Sequence, residues 1–159
     1  DRLRSRGLGD VYKRQPYEKV MEMIKKKYSH HTIRDEQIQK LYLAAKAVAV
    51  PQVISEQMCS GGVGAAVCTK QGRIFTGVCV DTDCSLGMCA ERNALSTMIT
   101  AGEFDIDMVI AVNKNGKVLP PCGACREFMG QFSHANDIQV VVDNDGTVVH
   151  LRDLMPFPY

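Results

Sequence analysis

The sequence predicts an α/β protein, a mixed β-sheet layered with helices, on three observations. Apolar residues recur at helical spacing in segments that alternate with short apolar runs of strand length. Two turns, Gln71-Gly72 and Asp143-Asn144-Asp145-Gly146, each lie between runs of strand-like residues, which is the pattern of hairpins. Residues 108–112 are apolar at every position, as a strand covered on both faces would be. The resulting order is helix, hairpin, helix, strand, helix, strand, strand, which implies a sheet with helices packed over it.

In chain order, Pro16 opens a short amphipathic helix to about residue 28, with Val20, Met23, Ile24 and Tyr28 on one stripe. His30-His31 follows at its C-terminal end, where histidines favour the helix dipole and no metal site is expected. Residues 16–34 are read as an N-terminal helical extension. The next helix is capped by Asp35, carries Ile38, Leu41, Tyr42, Ala45 and Val48 on one face, and stops before Pro51. Residues 52–61 read as irregular. Residues 63–69 and 73–80 then form a hairpin around Gln71-Gly72, and the glycines at 61, 62 and 64 let another backbone or a ligand come close.

A helix follows over residues 89–100, with Ala94, Leu95, Met98 and Ile99 inward and Ala101-Gly102 at its end. After the strand at 108–112 a turn at 113–116 leads to Pro120-Pro121, which fixes the approach to Cys122. The helix over 123–132 buries Phe128, Met129 and Phe132, and residues 138–142 and 147–151 are the last two strands.

The chain has 159 residues, enough for one domain with a substantial core. Residues 1–15 have no sustained apolar period and resemble a translated sequencing-adapter tail, so they are read as a non-native, disordered leader and set aside. That stretch carries five basic and two acidic residues, +3 against +1 for the whole chain, so the remainder is near −2. Such a balance lacks the dense cationic field of a polynucleotide binder, and Lys25-Lys26-Lys27 is one solvated helix face. The expected partner is a small molecule, with no nucleic acid and no membrane. Seven cysteines without a secretory or membrane-spanning segment suggest a reducing, cytoplasmic setting. Cys59, Cys68, Cys79 and Cys84 are read as small buried groups rather than disulfide partners.

Two stretches carry the chemistry: Cys89-Ala90-Glu91-Arg92 and Pro121-Cys122-Gly123-Ala124-Cys125. A Cys-X-X-Cys pair can hold two tetrahedral positions of Zn²⁺. A third thiolate from a separate segment leaves the fourth position open, which suits a catalytic site rather than a closed structural one. Glu91 stands beside such a metal without having to bind it. Read alone, Cys122 and Cys125 would also suit a redox pair or half of a zinc knuckle.

Taken together, the two stretches resemble the zinc-dependent cytidine deaminase family, whose pattern is Cys or His, then Ala-Glu, then Pro-Cys-X-X-Cys. The likeness covers roughly residues 35–159. It implies an α/β/α sandwich, a zinc cofactor held by Cys89, Cys122 and Cys125, and Glu91 as the catalytic proton shuttle. Three thiolates give the site a formal charge of −1, which would oppose hydroxide formation. The helix starts at the cysteines offset that charge, and the resemblance gives Arg92 the role of hydrogen-bonding the ligand thiolates. The role of Arg126 stays open between the site and the surface. The implied activity is hydrolytic removal of the exocyclic amine of a free cytosine nucleoside.

The resemblance further implies substrate contacts from Cys79, Asp81 and Ala90, and a homotetramer in which Tyr159 reaches a neighbour's site. Here the chain departs from the family pattern. Nucleoside-specific members carry Asn-X-Glu where this sequence has Cys79-Val80-Asp81, and an aromatic residue where it has Ser60-Gly61-Gly62. Residues 72–78 resemble the branch acting on the cytosine-containing antibiotic blasticidin S, which is the alternative substrate. Two other readings stand beside the enzyme: a non-catalytic zinc-stabilised module closed by Cys84, and a deaminase of polynucleotides.

Overall fold

The computed structural model describes residues 35–157. The leader, the extension at 16–34, His30-His31 and Tyr159 lie outside the described residues. The helix α1 (Glu36–Val48) opens as expected, with the Asp35 carboxylate accepting the amide of Gln37 at 3.0 Å. There follow β1 (Gln52–Ser55), β2 (Met58–Thr69), β3 (Ile74–Thr82), α2 (Ala90–Thr100), β4 (Ile106–Asn113) and α3 (Gly123–Gly130). A 3₁₀ turn (Ala135–Asp137), β5 (Gln139–Val141), β6 (Val148–His150) and the short α4 (Leu151–Leu154) complete the described order.

β2 is the axis of the sheet. It pairs antiparallel with β3 on one side and with β1 and β4 on the other; β4 pairs parallel with β5, and β5 antiparallel with β6. Strand alternation divides the apolar residues between two faces. Ala66 and Cys68 of β2 and Met108, Ile110 and Val112 of β4 pack with Ile38, Leu41 and Ala45 of α1. Ala65, Val67, Val109 and Ala111 face the other way, onto Ala94, Leu95 and Met98 of α2 and Met129 of α3. The uniformly apolar reading of 108–112 thus reflects a strand covered on both sides, and the layered mixed sheet matches the expectation. Gly77 of β3 lets α2 approach this closely: a Cβ there would lie 2.2 Å from the amide nitrogen of Ala94.

Several local expectations are corrected. Residues 52–55 and 58–61 are strand rather than irregular. All four residues of β1 are exposed at the sheet's edge, so backbone pairing holds them and no burial pattern marks them in the sequence. Ile99 is 38% exposed, because the inward stripe of α2 runs through Ala90, Glu91, Ala94, Leu95 and Met98 and turns it outward. Helix α3 ends at Gly130, leaving Phe128 and Phe132 half-buried in edge-to-face contact at 6.0 Å. The last strand stops at His150, and Leu151 begins a helical turn instead. All seven cysteines are free; Cys68 and Cys79 are buried as expected, but Cys59 and Cys84 are exposed. Of the three glycines at the head of β2, Gly61 and Gly64 abut backbone atoms of other segments, while Gly62 lines the cavity described next.

Candidate metal centre and substrate cavity

Two helix starts meet at one place. Cys89 is the N-cap residue of α2 and Cys122 that of α3, while Cys125 lies in the first turn of α3, three residues on. The Cys89 and Cys122 sulfurs are 3.4 Å apart, Cys122 and Cys125 are 3.5 Å apart, and all three Sγ atoms lie within 4.8 Å of one another. Tetrahedral Zn–S bonds of about 2.3 Å require S···S separations of about 3.8 Å, inside this range, so the donor set fits zinc. Cys84, offered by the alternative closed module, is not part of this cluster. Its thiol is exposed and turns to the Thr82 hydroxyl.

The thiols differ in their surroundings. Burial, followed by the charge of Glu91, pushes Cys125 well above the usual thiol range. Burial also raises Cys89. At Cys122 burial acts in the same direction but is outweighed by the Cys125 amide and the neighbouring thiols, so this group is lowered. The expected help from the helix starts thus shows only at Cys122, through the Cys125 amide, while burial prevails at Cys89 and Cys125.

Glu91 occupies the first turn of α2 and is 6% exposed. Burial raises its carboxyl above the ordinary value, opposed by its own backbone N–H, by the Cys125 thiol and by the charge of Arg92. A buried acid beside a thiol cluster, with its proton affinity raised, suits proton transfer near neutral pH. Arg92 is half-buried, and its Nε is buried without a hydrogen-bond partner among the described residues. Arg126 is held to the C-terminal segment, its guanidinium donating to the Leu154 carbonyl at 2.8 Å.

These groups open on a cavity of about 630 Å³, a volume typical of small-molecule sites. Cys89, Ala90, Glu91 and Cys122 line it from the helix starts, and Cys79 and Asp81 line it from β3. The structure therefore gathers Cys79, Asp81, Cys89, Ala90, Glu91 and Cys122 around one space, with Cys125 buried beside Cys122, while Arg92 is not among the lining residues. Sequence reasoning missed Val63, Met88 and Leu119, which supply much of the apolar wall; nothing in their local pattern distinguishes them from ordinary core residues. Among the described residues no aromatic side chain lines the cavity, in keeping with Ser60-Gly61-Gly62 at the head of β2. A second cavity of about 500 Å³ adjoins the first and shares Gly62, Val63, Asp81 and Leu119 with it.

Residues 35–142 match the family model of the cytidine and deoxycytidylate deaminase zinc-binding region. The chain is 31% identical over 108 residues to a blasticidin-S deaminase of Bacillus cereus, covering 61% of this chain and 76% of that one. It is 33% identical over 99 residues to a cytidine deaminase of Halalkalibacterium halodurans, covering 59% and 74%. Among solved structures, the cytidine deaminase of Mycobacterium leprae superposes with a TM-score of 0.63 at 28% identity, over 75% of this chain and 97% of that one. A family match over more than half of the chain, together with the cysteine cluster and the buried glutamate, carries the conclusion: this protein belongs to the cytidine and deoxycytidylate deaminase zinc-binding family.

Proposed function

We propose that the protein is a zinc-dependent aminohydrolase that converts a free cytosine nucleoside and water to the uracil nucleoside and ammonia. The observation that carries this reading is the convergence of three thiols from two helix starts beside a buried glutamate, in a cavity that fits a nucleoside. Cys89, Cys122 and Cys125 would hold the zinc, which supplies a water whose pKa falls from about 15.7 towards 7. Glu91 would move two protons in turn. Its carboxylate accepts the first from the water and delivers it to the ring nitrogen beside the amine. It then accepts the second from the hydroxyl now bonded to the ring carbon and delivers it to the departing amine, which leaves as ammonia while the carbonyl forms. A positioned shuttle of this kind contributes about 10²–10⁴-fold.

The remaining cavity residues orient the substrate. Ala90 is the first residue of α2 and lines the cavity, where it would lie against the base. Asp81, on β3, would accept hydrogen bonds from the sugar hydroxyls. Arg92 holds positive charge beside Glu91, which it already lowers.

A homotetramer with Tyr159 at a neighbour's site completes the proposal, and Leu86 at 82% and Phe157 at 94% exposure offer apolar surface for such contacts. Light scattering would read the mass, and a monomer at micromolar concentration would remove this part. A cytoplasmic location is proposed because seven unpaired thiols suit a reducing compartment. Among the described residues no helix is long and apolar enough to cross a membrane.

The test is ammonia release, with loss of cytosine absorbance, from cytidine, deoxycytidine and blasticidin S, using Glu91→Ala as the control. Inertness of zinc-loaded protein on all three, or an unimpaired Glu91→Ala, would sink the assignment. Blasticidin S is the second reading, favoured by the second cavity, which leaves room beyond the sugar, and by the absence of an aromatic wall among the described residues.

A further inference from the structure

The part of the cavity wall that β2 and β3 supply is built around an irregularity in the sheet. Strands β2 and β3 pair Ser60 with Val80 and then Gly64 with Val78, so residues 61–63 of β2 stand opposite Cys79 alone. A bulge of this kind leaves strand amides without their ladder partners. One of them is satisfied by a side chain: the Val63 N–H donates to Cys79 Sγ at 3.2 Å. The same sulfur lies 3.5 Å from Asp81 Oδ2, to which the thiol donates. Two residues apart on one strand, Cys79 and Asp81 point to the same face.

We propose that Cys79 is a positioning residue, whose thiol aims the Asp81 carboxylate at the sugar while its sulfur fixes the bulge forming the cavity floor. This rests on the reading that Asp81 contacts the sugar. A thiol offers one donor and a weak acceptor, and both are engaged within the protein, so Cys79 acts through Asp81 rather than by touching the substrate. Burial keeps the group in its protonated, donating form. Asp81 lines both adjoining cavities, so the direction its carboxylate takes decides which of them receives a hydroxyl. Val63, the amide partner, lines both as well.

The experiment compares cytidine with 2′,3′-dideoxycytidine, which keeps the base and lacks the ring hydroxyls. Cys79→Ala, or Cys79→Val if the alanine variant does not fold, is expected to raise KM for cytidine about tenfold while leaving kcat within about twofold. KM for the dideoxy substrate should not move, Cys79→Ser should restore cytidine binding, and the Kd of the product uridine should follow KM. In an Asp81→Ala background, Cys79→Ala should add nothing, because the two residues act as one unit. Equal losses on both substrates, a serine variant as poor as alanine, or no change in cytidine KM would each overturn the inference while the deaminase assignment stands. A zinc-loaded wild-type protein inert towards cytidine, deoxycytidine and blasticidin S would sink the deaminase assignment itself, and this inference with it; one active on blasticidin S alone would overturn the inference and leave the assignment standing.

Discussion

The two groups of residues that line the cavity are built in different ways. At the cysteine cluster the geometry is helical and local. Cys122 and Cys125, three residues apart across the first turn of α3, share one face by the pitch of the helix, and Glu91 follows Cys89 by two positions at the start of α2. On the β3 side, which we propose takes the sugar, the geometry is that of a bulge, where Cys79, Asp81 and Val63 meet because β2 slips against β3. On the proposed function the reacting groups sit on helix starts, and the recognition groups on a bulge that a change of register can re-aim. A chain can therefore keep the reaction while its substrate preference moves.

The largest effect should come from the helix starts. Glu91→Gln is expected to lower kcat by about 10²–10⁴-fold while zinc content, measured by elemental analysis, stays at the wild-type level. Cys89→Ala should lose metal and activity together, and wild-type protein treated with a chelator should recover on adding zinc. If Glu91→Gln also lost its zinc, the separation between holding the metal and moving protons would fail.

On the β3 side the effects should be smaller and should fall on binding. Asp81→Ala removes a charged hydrogen-bond acceptor and is expected to raise cytidine KM about tenfold or more, with kcat little changed. An equal fall in kcat would mean that the two groups are not separable. Gly61 lies at the bulge with φ +76°, and a Cβ there would come within 2.0 Å of the Val50 carbonyl oxygen. Gly61→Ala should destabilise by about 1–3 kcal/mol and lower Tm by roughly 2–4 °C for each kcal/mol. It should disturb cytidine KM more than zinc content.

The smallest expected effect is on stability against pH. Burial raises the folded-state pKa of Glu91 above the ordinary carboxylate value, so the folded metal-free protein holds this proton more tightly than the unfolded chain. Below the unfolded value the group is neutral in both states and costs nothing. As pH rises through the raised folded value, stability is lost. Metal-free Glu91→Gln should therefore melt above metal-free wild type near pH 8, and the gap should close below about pH 4. A gap that widened towards acid would contradict the burial argument.

How much of this was legible follows from where each constraint lies. The cap at Asp35, the stripe through Ile38, Leu41 and Ala45, and the doubly covered β4 were readable because helix and strand periods are written in consecutive residues. The edge strand β1 was not, since exposed backbone pairing leaves no apolar alternation. Nor was the exposure of Ile99, which turns on how α2 is rotated against the sheet.

The sequence by itself determined the chemistry: which residues could hold a zinc ion and which acid could move protons beside it. Those choices lie in short motifs, and the three-residue spacing of Cys122 and Cys125 matches a helical turn, so that pair carries its own geometry. Only the tertiary structure decided that 33 residues of chain return Cys122 to within 3.4 Å of Cys89. It also decided that Cys84 stands apart, and that Cys79 is tied to Asp81 and Val63. Those outcomes depend on strand register and helix packing, which arise from contacts between distant segments and are written in no single stretch.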